Sequence, residues 1–302
     1  KKIYNKMNHL KEIVAVGSIA FDSITTCKGS RQKILGGSST YFGVAASLFT
    51  KVNLIGVVGE DFSDKEWSLF EKYKIDISSV KVEKGETFSW GGIYSDDFSS
   101  RETQFTNLGV FETFKPNIDK QYNDSILYLG NIQPQLQFDV INQIKNPSIV
   151  AADSMNLWID LFPEKVKDLI SYVDIFMLND EEAIQLSGSN DLEKIAKEFL
   201  SYGPKIVIIK MGSKGSLVAQ KNSINYVSVV QGVDVFDPTG AGDSFAGGLL
   251  GYVSINGLSD VNKAVAYGSA VASYTVAGFG LESLEKINFE DLKLKADSID
   301  IK

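Results

Sequence analysis

The chain has 302 residues, of which 44% are hydrophobic, and this suffices for one large or two ordinary globular domains. Its formal net charge of -8 and the lack of a dense Lys/Arg run argue against binding to DNA, RNA or an anionic membrane surface. The single cysteine, Cys27, excludes an intrachain disulfide and a cysteine-rich metal site.

The N-terminal segment is polar and lacks the apolar core of a signal peptide. No apolar run approaches the roughly 20 residues needed to span a bilayer, so we expect a cytoplasmic protein. His9, the only histidine, lies in this polar segment, ahead of the first predicted strand. Ser-His-Asp and Cys-His catalysis are therefore excluded, and acid–base chemistry falls to carboxylates, lysines or tyrosines.

The first part of the chain alternates predicted strands and helices. Apolar runs that end in glycine predict buried strands at residues 12–17 and 52–59. Between them a glycine pair, Gly36 and Gly37, leads into an apolar helix. Ser63 is a candidate N-cap for the helix that follows the second strand.

Residues 86–109 are rich in Thr, Ser and aromatic side chains and predict two antiparallel strands joined near residues 96–100. Short apolar runs separated by helical segments follow, which predicts a parallel sheet covered on both faces. A hairpin and two long helices come last. No linker-like boundary divides the chain, so we expect residues 1–302 to form one α/β domain with a small β-rich excursion.

The most unusual local composition is DVFDPTGAGDSFAGGLLGY, at residues 234–252. Small side chains at Gly240, Ala241 and Gly242 let a ligand approach the backbone closely, where a helix should begin. The first amides of a helix lack intrahelical partners and carry the positive end of its dipole, so this stretch predicts an anion site. Asp243 is then either a helix-stabilising acid or a base beside a bound phosphate.

Three other motifs fit this stretch poorly. It is not a P-loop, because no Gly-Lys-Ser/Thr follows a glycine-rich loop anywhere in the chain. Phe245 occupies the third glycine position of a dinucleotide fingerprint, and the stretch comes far from the first strand. A nucleophile elbow at Ser244 would have Ala246 in place of its second glycine and no histidine to activate it.

The segment DPTGAGDSFAGGLL closely resembles the C-terminal signature of the ribokinase-like (PfkB) carbohydrate kinase family. Three earlier segments occur in the family's order: GGSSTYFGVAAS, NDEE and KMGSKGS. The resemblance therefore covers essentially the whole chain. It implies ATP- and Mg²⁺-dependent transfer of the γ-phosphoryl group to a hydroxyl of a sugar, sugar phosphate or nucleoside. It also implies a three-layer α/β/α fold with a central, mostly parallel sheet and a small β-sheet lid, formed mainly by residues 86–109 with part of 18–35.

The resemblance assigns roles around the phosphate. Asp243 resembles the catalytic base, and the amides of Gly240, Ala241, Gly242 and Asp243 resemble an anion hole for the transferring phosphoryl group.

Four further residues match cation positions. Asn179 and Glu182 match a motif that organises Mg²⁺ through water, although on their own they equally predict a capping box. Asp237 and Thr239 match positions that bind a monovalent cation such as K⁺ in some members.

On the nucleotide side the resemblance implies residues of one strand, the turn after it and a late helix: Lys210, Gly212, Gly215, Ser269, Ala270 and Ser273. A solvated strand-end lysine and tight helix packing are the alternatives for this set. On the substrate side it implies residues near strand ends and in the lid: Asp22, Gly36, Gly37, Ser38, Tyr41, Phe88, Arg101 and Asn131.

Two features leave the substrate open. Tyr41 stands where many members have asparagine, which replaces an amide by a larger phenol. Phe88, Trp90 and Arg101 in the predicted lid either meet the substrate or pack across the strands. Asp153 follows another predicted strand, at the edge where ligands bind in such sheets.

Three functions remain in view at this point. The first is a kinase for a free sugar or a nucleoside, ranked above a sugar phosphate because clustered basic residues are lacking. The second is a nucleotide- or sugar-binding sensor without turnover, and the third is a nicotinamide dehydrogenase. We expect a small-molecule substrate, no nucleic-acid or membrane partner, and a monomer or a homodimer formed through the lid.

Overall fold

The structure is a computed structural model that describes residues 11–118 and 122–302. His9 lies outside the described residues. The strands are β1 (Ile13–Val16), β2 (Ala20–Thr26), β3 (Gly29–Gly36), β4 (Val52–Gly59), β5 (Asp76–Glu83), β6 (Ser89–Tyr94), β7 (Arg101–Asn107), β8 (Ile126–Leu129), β9 (Ile149–Ala152), β10 (Ile175–Asn179), β11 (Ile206–Lys210), β12 (Ser216–Gln220) and β13 (Ser223–Val227).

The α-helices are α1 (Ser38–Ser47), α2 (Asp64–Lys72), α3 (Pro134–Ile141), α4 (Asn156–Leu161), α5 (Pro163–Ile170), α6 (Asp180–Ser187), α7 (Leu192–Ser201), α8 (Ala241–Asn256), α9 (Val261–Thr275) and α10 (Phe289–Asp297). Short 3-10 helices cover Gly109–Thr113, Gly212–Lys214 and Leu284–Lys286. Ser63 caps α2, as predicted, within a capping box that Glu66 completes.

The main sheet has nine strands in the order β13-β12-β11-β10-β9-β8-β1-β4-β5. All neighbouring pairs are parallel except those made by β12, which runs antiparallel to β11 and to β13. Buried apolar side chains cover both faces, as a sheet between two helical layers requires. The predicted three-layer α/β/α fold with a mostly parallel sheet is confirmed.

A separate sheet has four strands in the order β3-β2-β6-β7. The predicted antiparallel pair is β6 and β7, joined at residues 95–100. Strand β6 also pairs in parallel with β2, so both segments that the resemblance assigned to the lid contribute strands. We call this four-stranded unit the small sheet.

The carboxyl ends of the parallel strands bring the candidate residues to one edge of the main sheet. Asp153 directly follows β9, whereas Asn179 and Lys210 are the last residues of β10 and β11. Register pairs Asn179 with Lys210, so these two side chains leave the sheet side by side. The start of α8 faces this edge, because Gly242 lies beside the Lys210 side chain.

Candidate active site

Helix α8 begins with a turn that only glycine fits. Gly240 has a φ of 74°, and a Cβ atom added to it would lie 2.3 Å from the Tyr41 ring. The Asp237 carboxylate fixes the preceding loop, because it accepts the N–H of Thr239 at 2.9 Å and that of Gly280 at 3.1 Å. The start of α8 therefore packs directly against the Tyr41 ring.

The amides at this helix start are not equivalent. The Ala241 N–H donates to the Pro238 carbonyl at 3.2 Å, so this amide already has a backbone partner, and its role in an anion hole stays a prediction. Among the described residues, no backbone carbonyl outside α8 accepts from Gly242 or Asp243. The amides of Gly242 and Asp243 thus have no such backbone partner, as expected where a helix leaves its first amides unpaired.

Asp243 borders a buried ion pair. The Lys210 ammonium lies 2.6 Å from Asp153, and the two side chains are 17% and 5% exposed. A Cβ atom at Gly242 would lie 3.4 Å from Lys210 Nζ, so the cation borders the helix start. Burial raises the pKa of Asp243 to about 7, with Asp153 raising it and Lys210 lowering it.

Lys210 has a position that the sequence left open. Burial lowers its pKa, but the attraction of Asp153, Glu182 and Asp243 outweighs burial and the pKa is raised. The Lys210 ammonium group therefore stays charged beside the start of α8. It is not the solvated strand-end lysine that was the alternative.

Asn179 and Glu182 form the capping box that their spacing also predicted. The Glu182 N–H donates to Asn179 Oδ1 at 2.7 Å, and the Asn179 N–H donates to Glu182 Oε2 at 2.8 Å. Glu182 is nevertheless buried, and burial raises the pKa of its carboxyl group, while nearby Lys210 lowers it. Its carboxylate therefore both caps α6 and belongs to the charged group around Lys210.

The predicted nucleotide-side residues fall into two groups. Gly212 has a φ of 55° and open space where a Cβ would be, whereas a Cβ at Gly215 would lie 2.2 Å from the Val227 carbonyl. Gly215 is thus required by the packing of β13. On α9, Ala270 is fully buried and accepts a 2.7 Å hydrogen bond from the Ser273 hydroxyl, which fits the tight-packing alternative; Ser269 is 7% exposed.

Asp22 lies at the junction of the two sheets. It is buried, and burial raises its pKa to about 7, while the Gly37 N–H and Arg101 lower it. A Cβ at Gly36 would lie 1.9 Å from Asp22 Oδ2, so this glycine makes room for the carboxylate. Gly37 has a φ of 89° and a Cβ there would lie 2.6 Å from the Ser18 carbonyl.

Three predicted substrate residues have other partners. Ser38 Oγ accepts the Ser18 N–H at 3.0 Å, so it ties α1 to the end of β1. Phe88 stacks on Phe111 with the ring centroids 5.7 Å apart and packs at the base of the small sheet. Asn131 Oδ1 accepts from Trp158 Nε1 at 3.0 Å. Ser38 and Phe88 thus have partners within the protein, and their substrate contacts stay predictions.

The face of the small sheet that carries Asp22 also carries aromatic and cationic groups. Trp90 pairs with Asp22 across β2 and β6, which puts the two side chains on one face. The Arg101 guanidinium lies over the Trp90 ring, 5.2 Å from its centroid. We call this surface the inner face of the small sheet.

Hydrogen bonds from two strands of the small sheet link it to the loop before α8. The hydroxyls of Tyr94 and Thr239 lie 3.0 Å apart, and the Thr26 hydroxyl donates to the Phe236 carbonyl at 2.9 Å. Sequence reasoning missed Tyr94, although its spacing from Trp90 puts it on the same face of β6. It also missed Tyr128, a buried core residue that no local sequence signal distinguishes.

No group of three or more His, Cys, Asp or Glu side chains among residues 11–118 and 122–302 is arranged to hold a metal ion. No helix in the described part of the chain is long and apolar enough to cross a membrane.

The sequence is similar to known carbohydrate and nucleoside kinases. The model of the pfkB family carbohydrate kinases matches residues 10–287. A cytidine kinase from Thermococcus kodakarensis is 28% identical over 79% of this chain and 87% of its own length. A nucleoside kinase from Methanocaldococcus jannaschii is 23% identical over 91% of this chain and 93% of its own length.

Solved structures show the same fold. The crystal structure of the M. jannaschii nucleoside kinase has a TM-score of 0.78 at 20% identity, covering 96% of this chain and 99% of that one. A Vibrio cholerae fructokinase, solved with fructose, ADP and calcium, has a TM-score of 0.81 at 21% identity, covering 95% and 99%. With the family model matching most of its length, the chain belongs to the pfkB family of carbohydrate kinases.

Proposed function

We propose that this phosphotransferase moves the γ-phosphoryl group of ATP to a hydroxyl group of a nucleoside, with Asp243 as the base. The observation that carries the proposal is the position of Asp243 at the start of α8, beside Gly242 and the buried Lys210. Phosphoryl transfer needs positioning and charge neutralisation, and this arrangement offers both.

The proton transfer follows from the same geometry. Asp243 would accept the proton of the attacking hydroxyl, and its raised pKa makes it a stronger base than an exposed aspartate. The amides at Gly242 and Asp243, together with the Lys210 ammonium, would stabilise negative charge on the transferring group. Asp22, on the opposite side, would orient the acceptor through its hydroxyl groups.

The divalent cation of the reaction fits the residues present. Mg²⁺ prefers carboxylate oxygens, waters and substrate phosphates, and Glu182, with Asn179, offers a buried carboxylate beside Lys210. When bound with ATP, Mg²⁺ supplies neutralisation of charge on the β- and γ-phosphates. We further propose that the loop at Asp237 and Thr239 binds K⁺. The test compares the rate of ATP turnover in K⁺ with the rate in choline.

A nucleoside is the preferred acceptor for two reasons. Trp90 offers an aromatic surface for a base, and Arg101 above it offers hydrogen-bond donors. The relatives named cytidine kinase and nucleoside kinase align over most of the chain. A free sugar is second, since a ribokinase from Staphylococcus aureus also aligns, at 26% identity over 86% of this chain.

A sugar phosphate is disfavoured by charge. Lys28 is paired with Asp234 at 2.9 Å, and Arg31 with Glu282 at 2.9 Å. Arg101 lies at the inner face, where its charge lowers the pKa of Asp22. The earlier alternatives of a silent sensor and a nicotinamide dehydrogenase gain no support from the relatives.

The test is ATP turnover against cytidine, uridine, inosine, adenosine, ribose, fructose and fructose 6-phosphate. We expect the highest kcat/KM with one of the nucleosides. A higher kcat/KM for ribose or fructose would replace the nucleoside by a free sugar. Binding of ATP without turnover of any hydroxyl compound in a broad panel would overturn the kinase assignment itself.

A further inference from the structure

Tyr128 is a buried phenol directly beneath the candidate active site. Its side chain is 0% exposed, and its ring stacks on Phe42 with centroids 3.9 Å apart and planes within 7°. Two residues later, a Cβ at Gly130 would lie 3.3 Å from Tyr128 Cε1, so the end of β8 also confines the ring. Packing therefore fixes the direction of the hydroxyl group.

The Tyr128 hydroxyl has no hydrogen-bond partner among the described residues. A buried polar group left without any partner destabilises the fold, and such groups are nearly always matched by protein or by ordered water. Tyr128 is on the strand next to β9, which leads into Asp153. The hydroxyl thus needs an acceptor at the edge where the charged residues meet.

Two carboxylates lie near this hydroxyl group. Burial raises the pKa of Tyr128 well above its ordinary value, and the nearby Asp153 and Asp243 raise it further. The phenol therefore keeps its proton and presents an O–H donor to its acidic neighbours. Because Tyr128 is fully buried, it does not touch the acceptor substrate itself.

We propose that Tyr128 is a positioning residue for Asp243, donating a hydrogen bond to an ordered water that in turn donates to the Asp243 and Asp153 carboxylates. The water is the smallest group that satisfies a buried donor and two acceptors at once. This inference rests on the proposed role of Asp243 as the base.

Other charged and titratable groups also face Asp243. Lys210 on β11 and Asp22 on β2 both affect the pKa of Asp243. The Asp243 carboxylate in turn raises the pKa of Tyr41 on α1. Tyr128 differs from Lys210 and Asp22 because it is a neutral donor. It differs from the buried phenol of Tyr41 because Asp153 and Asp243 are its acidic neighbours, whereas Asp22 acts most strongly on Tyr41. Donation to the charged form of a carboxyl group lowers its pKa, so Tyr128 should hold the Asp243 carboxylate ionised and oriented.

Tyr128→Phe tests the proposal, since it keeps the ring that stacks on Phe42. The control is Tyr73→Phe, which also removes a tyrosine hydroxyl but one whose charged neighbours are Lys72 and Glu285. We expect Tyr128→Phe to lower kcat about tenfold with KM for ATP and acceptor nearly unchanged. The acid limb of its pH–rate profile should move to higher pH, because the carboxylate has lost a donor.

Wild-type kcat and an unshifted acid limb in Tyr128→Phe would overturn the proposal, as would an equal loss in Tyr73→Phe. Full activity of Asp243→Asn would instead overturn the proposed function, so the two failures are distinguishable. If Tyr128→Phe does not fold, a high-resolution crystal structure of the unmodified protein decides. We expect a water within about 3 Å of Tyr128 Oη that also contacts a carboxylate, and its absence contradicts the proposal.

Discussion

Gly242, at the start of α8, is a position where an added methyl group should affect stability and activity differently. A Cβ there would lie 3.4 Å from Lys210 Nζ, an ordinary contact, whereas a Cβ at Gly240 would collide with the Tyr41 ring. Alanine also favours a helix over glycine by about 0.5–1 kcal/mol. The methyl group would nevertheless occupy the space next to the amide that a phosphate approaches.

We therefore expect Gly242→Ala to keep or raise the melting temperature and to lower kcat/KM about 100-fold. Thermal melting and steady-state kinetics on the same preparation measure both quantities. Gly240→Ala is the contrasting variant, because its φ of 74° makes alanine costly and the protein should lose stability. Unchanged kcat/KM in Gly242→Ala would place the phosphate elsewhere.

The pH dependence should report Asp243. Burial raises its pKa from 3.8 to about 7, and a base must be deprotonated to accept a proton. We expect kcat/KM to fall about tenfold per pH unit below this pKa and to level off above it. A rate profile that is flat from pH 5.5 to 8 would show that no group with this pKa acts as the base.

Residue identity predicted some of these roles and not others. Gly240, Gly242 and Asp243 were predicted because a glycine-rich helix start has a local physical reason. The contacts of Ser38 and Phe88 within the protein were not predicted, because their partners, Ser18 and Phe111, come from other parts of the chain. Contacts of this kind follow from tertiary packing, which local spacing does not report.

At the scale of elements, the small sheet is tied to the loop before α8. The Tyr94–Thr239 hydroxyl contact of 3.0 Å joins β6 to that loop. Closure of a lid excludes water that would compete with the acceptor hydroxyl. A hydrogen bond at this junction should therefore help to hold the acceptor in place.

Removing this contact in Tyr94→Phe should raise the KM of the acceptor about fivefold, which corresponds to about 1 kcal/mol. Tyr226→Phe is the control, since it deletes an exposed hydroxyl that lies 3.1 Å from Glu193. Steady-state kinetics at saturating ATP measure the effect. An equal KM for Tyr94→Phe and the parent would show that the link has no part in acceptor binding.

Alternation of apolar runs and helices predicted the parallel strands well, since each run needs its own burial on both faces. The edge strand β5 was not predicted, because its half-exposed side chains lack a continuous apolar run. The parallel pairing of β2 with β6 was also not predicted from the sequence. It joins segments more than 60 residues apart, from Phe21 to Ser89, and no turn signal connects them.

At the scale of the whole molecule, the outer edge of the small sheet is open. Strand β7 pairs only with β6 among the described strands, and all its residues are exposed. Phe105 is 45% exposed and Ile93 42% exposed. Open edges with apolar side chains favour pairing with another chain.

We expect a homodimer that forms through this edge. Light scattering after size-exclusion chromatography should give twice the chain mass for the parent and the chain mass for Phe105→Lys. Leu161→Lys, which charges another exposed apolar residue, is the control and should stay dimeric. A monomeric parent, or a dimer that survives Phe105→Lys, contradicts the assignment of this edge.

Asp243→Asn should remain folded, which makes its activity informative. Folding raises the pKa of Asp243 from 3.8 to about 7, so the folded state favours the protonated form. The resulting destabilisation is absent below pH 3.8, grows as the pH rises, and is complete above about 7. Neutral asparagine avoids it, and we expect a melting temperature at pH 8 at least equal to that of the parent.

The most direct measurement is the kcat of Asp243→Asn with the best nucleoside at pH 8, with Asp139→Asn as a remote control. Loss of a positioned base predicts a decrease of about 10²–10⁴-fold in a folded protein that still binds ATP, and no decrease in the control. Undiminished turnover by Asp243→Asn would contradict the account, because phosphoryl transfer would then need no base at the start of α8.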